Sequence, residues 1–587
     1  MRDFQDQPKQ IETTIKKIMK HFITSSALLL AGALLTLGCT DDDNNSDNSS
    51  SITPEESDGA YVGKAVDGFT AEEWYPGGEL GTTTNIASNC YEDNTPAVEA
   101  QGFNALFQQG DRMASNPYTI STKPYNGWGP VASRQSCSDC HSGGYSHGHS
   151  RTDFLPKKGN GYIVSVYTPD APGSNDGPLV EQLTTFTMTM AMEPFKPQLD
   201  PTQVKIEWHD VTEMKSGLKM QFPDNGETFE LRYPTATVPV TAFNADPRPA
   251  EGSYDVRLIV SCNFQGLGLI DAVSNEALEA QYKSEDSYGA ELNPEFWDAS
   301  AKKLKDDAYA EDAFGNKFVK RFNYDLLEGC LQNDVALWDE LNVLRSDIKH
   351  ICTTTAWTKA MSEDTTIINR ILAEGANPQS PLHPYYYDGT FEGIKAALTY
   401  LLSPEDDINL YDNKYYNFTP EMTDDQYHAF MTWHRGIAVP RARDLNNKDV
   451  KRGKELFYEI GCTNCHKPSW TTGADNYGRS KILEGKNLPQ YANQKIYPYS
   501  DLLQHKLCME QDIHGSWCRT TPLWGRGLSS VVCGKEDRLH DARARNEVEA
   551  IMWHAYSKDS QAYDTALKFY NLPKADRDAV VKFIRSI

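Results

Sequence analysis

The chain has no surplus of basic residues and no long hydrophobic run. Its 57 Lys and Arg face 82 Asp and Glu, a formal net charge of −25, which argues against nucleic acid or a bare anionic lipid surface as partner. The acidity suits simple solubility or a basic redox partner equally. The apolar stretch Ile23 to Leu37 is short for a transmembrane helix. The glycine-rich segment Phe264 to Val273 lacks the Gly-x-Gly-x-x-Gly spacing of a dinucleotide site. What remains is a 587-residue chain, 39% hydrophobic and 24% charged. That is an ordinary soluble composition with room for about two to four domains.

Against these absences stand two copies of Cys-x-x-Cys-His: Cys137, Cys140 and His141, then Cys462, Cys465 and His466. The pattern attaches c-type haem, because two thiols add to the haem vinyl groups and the adjacent His becomes the proximal iron ligand. Chance placement makes two copies very improbable. One zinc site would need the two pairs at a spacing of about 15–20 residues, whereas over three hundred residues separate them. A thioredoxin-like dithiol explains neither His. The expected cofactors are therefore two covalently attached c-type haems.

Residues 1–39 read as a targeting segment, with Lys16, Lys17 and Lys20 before the apolar run and a lipobox-like Leu37-Gly38-Cys39 in which Cys39 is lipidated. Residues 40–85 begin Asp41-Asp42-Asp43 and read as a disordered acidic tether. The expectation is an exported outer-membrane lipoprotein, periplasm-facing or on the cell surface, meeting the membrane through the lipid anchor only. In an oxidising compartment, Cys330 with Cys352 and Cys508 with Cys518 are the nearest disulfide candidates.

Residues 86–440 read as an N-terminal haem domain. It holds a helix near Asn94 to Phe107, a β-rich insertion over about 160–257 with alternation such as Val204-Lys205-Ile206-Glu207-Trp208, and a helical stretch to Ala438. Phe264 to Val273 reads as a tight loop entering a helix against a haem. Arg441 to Asp449 reads as a polar linker. Residues 441–587 form the second unit, with apolar stripes at Val450, Gly453, Leu456 and Phe457 and again at Ala579, Val580, Phe583 and Ile584. The expected fold is mainly α, with two cytochrome c-like haem domains.

A sixth ligand makes a c-haem an electron carrier, and an open position makes it a catalyst. Candidates beside the first haem are His147, His149 and the Met188, Met190, Met192 series. Beside the second they are His505 and Met509, with Met509 the candidate distal ligand. His147, His149 and His505 are also the candidate acid–base groups. Arg519, Arg543 and Arg545 could pair with haem propionates. Each has a plainer alternative as a structural or surface residue.

Arg519-Thr520-Thr521-Pro522-Leu523-Trp524-Gly525, Leu539 to Arg545 and Glu549 to His554 resemble the C-terminal signature of the bacterial di-haem oxidoreductases, often labelled thiol oxidoreductases. The Thr-Pro and His-Asp elements are similar to those of di-haem cytochrome c peroxidases. Gly129-Pro130-Val131, Gly266-Leu267-Gly268-Leu269, Ala438-Val439-Pro440 and Pro498 to Leu503 extend the resemblance from about residue 95 to the end. The family usually has His-Asp-Met where this chain has His505-Lys506-Leu507, and Gly where it has Ala542. The resemblance implies peroxidase-like or electron-transfer chemistry, with an external electron donor or acceptor protein and a small oxidant such as peroxide. The rival expectations are a non-enzymatic electron carrier and a surface haem- or iron-linked binding protein.

Overall fold

The computed structural model describes residues 68–115, 129–311, 316–331, 353–404, 414–415, 423–476 and 485–587. The targeting segment, Cys39 and Cys352 lie outside these residues. Of the stretch read as a tether, residues from Gly68 onward are packed, because Phe69 and Trp74 bury their rings in the C-terminal core.

The helix expected near Asn94 is two pieces, Pro96–Ala100 and α1 (Asn104–Ser115), broken at Gly102, whose φ is +82°. The insertion is built as expected from antiparallel ladders. β1 (Tyr162–Tyr167) and β2 (Lys205–Asp210) pair with β4 (Asp255–Val260) and β3 (Arg232–Thr237) respectively, in the registers Tyr162↔Val260 and Lys205↔Thr237. Tyr162, Val164 and Val166 turn to one buried face, as the two-residue period requires. The Gly266 loop enters α2 (Leu267–Asp271), and Gly266 has φ +75° with no room for a Cβ beside Trp524 and Val439.

Three amphipathic helices follow, α3 (Thr355–Glu363), α4 (Thr365–Glu374) and α5 (Phe391–Leu401), capped by Thr354, Asp364 and Thr390. Their apolar faces close a core with Met188, Met192 and Phe195 from the insertion, so Met188 and Met192 are packed against helices. Helix makes up 35% and strand 14%, a mixed α/β character where a mainly helical one was expected. To the six-residue ladders of the insertion are added two-residue and three-residue pairings throughout the chain, such as Thr82–Thr83 beside Val439–Pro440.

Two helix pairs position the haem-type motifs. α1, which precedes Cys137, packs on α6 (Asp424–Gly436), and α7 (Lys448–Glu459), which precedes Cys462, packs on α10 (Lys574–Ser586). α8 (Glu547–Trp553) and α9 (Tyr563–Tyr570) lie between α7 and α10 in sequence. Each pair crosses at a glycine. A Cβ on Gly110 would overlap the Ala429 carbonyl and the Trp433 Cβ, and one on Gly453 would overlap the Ala579 carbonyl and the Phe583 Cβ. Arg441 to Asp449 is no loose linker. Ala442 and Leu445 are fully buried, Arg441 donates to the Thr84 carbonyl, and the Arg443 amide donates to that of Ser586. Among the described residues no helix is long and apolar enough to cross a membrane.

Candidate functional site

At the C-terminal motif, α7 ends at Gly461, whose φ of +96° turns the chain into the short 3-10 turn Cys462–Asn464. The His466 amide then donates to the Cys462 carbonyl at 2.9 Å. The His466 Nδ1 lies 3.0 Å from the Tyr499 carbonyl, which can only accept, so the ring proton is on Nδ1 and Nε2 is bare. Burial pushes its pKa down to about 4, which keeps the imidazole neutral. Cys462, Cys465 and His466 line one cavity with Phe457, Leu523, Ile551, Phe569 and Ile584. A pair of thiols, an imidazole with a bare Nε2 and apolar walls are the donor set that c-type haem requires, and these residues fit it.

His505 and Arg519 line that cavity too, whereas Met509 and Arg543 do not. β5 (Gln504–Lys506) pairs with β6 (Trp517–Arg519), setting His505 opposite Cys518. That register leaves Cys508 beyond the ladder, and Cys508 and Cys518 are both free thiols. The His505 Nε2 is 2.6 Å from Asp501 Oδ2. Burial opposes its charge, but Cys465 and Asp501 outweigh it and hold the pKa well above the ordinary value. Met509 is buried in the apolar core. Arg543 is committed to Asp541 and the Glu510 and Gln511 carbonyls, stacked over Trp553, and this holds it out of the cavity lining. Arg545 is tied to Glu549.

The first motif forms the short helix Cys137–Cys140, with His141 as its C-cap. Cys140 and His141 line a second cavity, closed by Arg134, Thr187, Cys262 and Leu267. The His141 ring lies 3.9 Å from that of Phe264, and burial pushes its pKa down to about 4. His147 and His149 line neither cavity. The His147 Nε2 is 2.9 Å from the Leu539 carbonyl, and His149 faces Asp537 at 3.9 Å.

Several lining residues escape a reading of the sequence alone. His434 on α6 is 2% exposed with its Nε2 unpartnered, and burial pushes its pKa down to about 3. It follows Trp433 as Ile584 follows Phe583, so the first cavity holds an imidazole where the second holds an aliphatic chain. In the C-terminal cavity, His540 is 1% exposed with neither ring nitrogen hydrogen-bonded and its Nε2 facing Asp512 at 3.7 Å and Asp541 at 3.8 Å, and the His554 Nδ1 lies 2.7 Å from the Ala550 carbonyl, leaving its Nε2 bare. The signal for His540 and His554 was present, since both stand in the motifs that carry the family resemblance. Asp325 lines the first cavity with a carboxyl lifted to about 7, by burial first and Glu295 second. Tyr324 and Arg519 line both cavities and form a common wall.

A family model described as "Di-haem oxidoreductase, putative peroxidase" matches residues 413–587. No curated protein and no solved structure matches the chain.

Proposed function

With residues 413–587 belonging to the di-haem oxidoreductase family, we propose that the chain attaches two c-type haems and passes electrons between them to reduce a small oxidant of the peroxide kind. The observation that carries this reading is the pair of cavities. Each opens on its own Cys-x-x-Cys-His motif, and Tyr324 and Arg519 belong to both linings. One layer of side chains between two redox groups suits electron exchange. The matching helix crossings at Gly110 and Gly453, each before a motif, support two cytochrome c-like units.

Bound haem would supply a redox iron and, where its sixth position is open, a place for the oxidant. The chain's own groups do the rest. Cys137, Cys140, Cys462 and Cys465 hold the two haems, and His141 and His466 offer neutral nitrogens to the irons. Asp325, poised near neutral pH, can take a proton from a peroxide oxygen and return it to the departing one. His540, kept neutral by burial and facing Asp512 and Asp541, is the corresponding group in the C-terminal cavity. An external protein supplies the electrons. Because haem is attached in this way outside the cytoplasm, the same reading includes export and lipidation at Cys39.

The electron-carrier alternative draws on one observation. His434 is a second neutral imidazole in the first cavity and would close that iron. An optical and EPR redox titration of the haem-loaded protein, with hydrogen peroxide added at each poise, separates the two readings. We expect at least one redox state with a high-spin haem that consumes peroxide. Two low-spin haems that ignore peroxide in every state would make the protein a carrier.

A further inference from the structure

We propose that Arg519 and Arg526 form a shelf that receives the propionates of the haem held by Cys462 and Cys465, on the wall shared with the first cavity. This rests on the two-haem reading and adds where that haem's anionic edge points. The charged lining of the C-terminal cavity is nearly balanced without them. Arg538 donates to Glu547 at 2.8 Å, and His505 is paired with Asp501. Arg519 and Arg526 are left over. Arg519 is 3% exposed, and its Nη1 reaches only the neutral Arg321 carbonyl while its Nε has no acceptor. Arg526 is 6% exposed with its Nη1 buried and without an acceptor.

Among the described residues no carboxylate pairs with either guanidinium. A buried cation without a counter-ion is strongly unfavourable, and the chain here keeps a pair of them in one cavity. Their combined charge balances that of a dianion. Haem carries it as a pair of propionates, which a guanidinium grips in bidentate fashion. Arg519 belongs to both linings and Arg526 lies near Tyr324 and Cys262. The propionate edge therefore faces the first cavity, and the polar cross-wall becomes complete only when haem is bound.

The test is a potentiometric titration of the haem-loaded Arg526→Leu protein, with Arg526→Lys beside it. Removing a positive charge next to the haem makes its reduction less favourable. One of the two optical waves should move to lower potential by at least tenfold in the ferrous-to-ferric ratio, about 59 mV for a one-electron couple. Arg526→Lys should restore most of it. If the leucine protein fails to fold, the lysine protein and the wild type decide by resonance Raman. A propionate bending mode that shifts in D2O in the wild type, and differs in the lysine protein, supports the shelf. Two covalent haems with unmoved potentials, or with modes insensitive to both changes, overturn it and leave the oxidoreductase reading standing. No covalent haem in the wild type overturns that reading as well.

Discussion

Asp325 keeps its proton up to about pH 7, chiefly because burial disfavours the carboxylate. Its folded pKa lies above the unfolded value near 3.9. The folded state therefore binds more protons between those limits, and stability falls as pH rises through that window. Asp325→Asn abolishes the titration. Its stability relative to the parent, read by denaturant unfolding at pH 5 and pH 8, should rise with pH by about 2–4 kcal/mol. Parallel curves would mean that Asp325 does not titrate there. At this scale, what the sequence revealed depended on contiguity. Cys462, Cys465 and His466 act within five positions, so their chemistry is written in one pentapeptide. His434 joins His141 only after α6 has crossed α1, and nothing local announces that. His147 and His149 follow the first motif closely in sequence, yet hydrogen bonding to Leu539 and proximity to Asp537 hold them away from both cavities.

At the scale of elements, each motif depends on a helix crossing that leaves no space for a methyl group. Helix propensity favours alanine over glycine by about 1 kcal/mol. At Gly110 and Gly453 that gain should be overwhelmed, since the added Cβ meets a partner carbonyl on α6 or α10. Gly453→Ala should destabilise the protein by about 1–3 kcal/mol net and reduce haem uptake at Cys462 and Cys465 while sparing the first site. Thermal unfolding and haem staining of separated proteolytic fragments check both. A stabilised Gly453→Ala protein would show that the helices can part at little cost. The periodicity of α7 and α10 made that pair legible, because both stripes stand close to a motif or to the chain end. The α1–α6 pair was not legible. Its two members are separated by the insertion and the α3–α5 helices, and sequence distance conceals that they are neighbours.

Across the whole molecule, Arg435 ties the parts together. Its guanidinium donates to Asp271 beside the glycine-rich loop at 2.5 Å, and to Asp475 after the second motif, with all three side chains fully buried. Arg435→Met would remove from two buried carboxylates the cation they share, at a cost of about 3–5 kcal/mol near pH 7. Burial already raises the Asp271 pKa, while Arg435 pulls it down. Without Arg435 the Asp271 carboxylate protonates more readily, so the deficit should shrink at pH 5. Unfolding midpoints at the two pH values test this, and a deficit independent of pH would acquit the carboxylates. The family resemblance was densest after residue 430, and the family match covers 413–587. The six-residue ladders of the insertion were legible as alternation, whereas the short pairings elsewhere escaped the sequence, because two or three residues leave no periodic trace.

The partition formed by Tyr324 and Arg519 also bears on how the molecule matures. A wall common to two chambers is finished from both sides, so filling one chamber firms the boundary of the other.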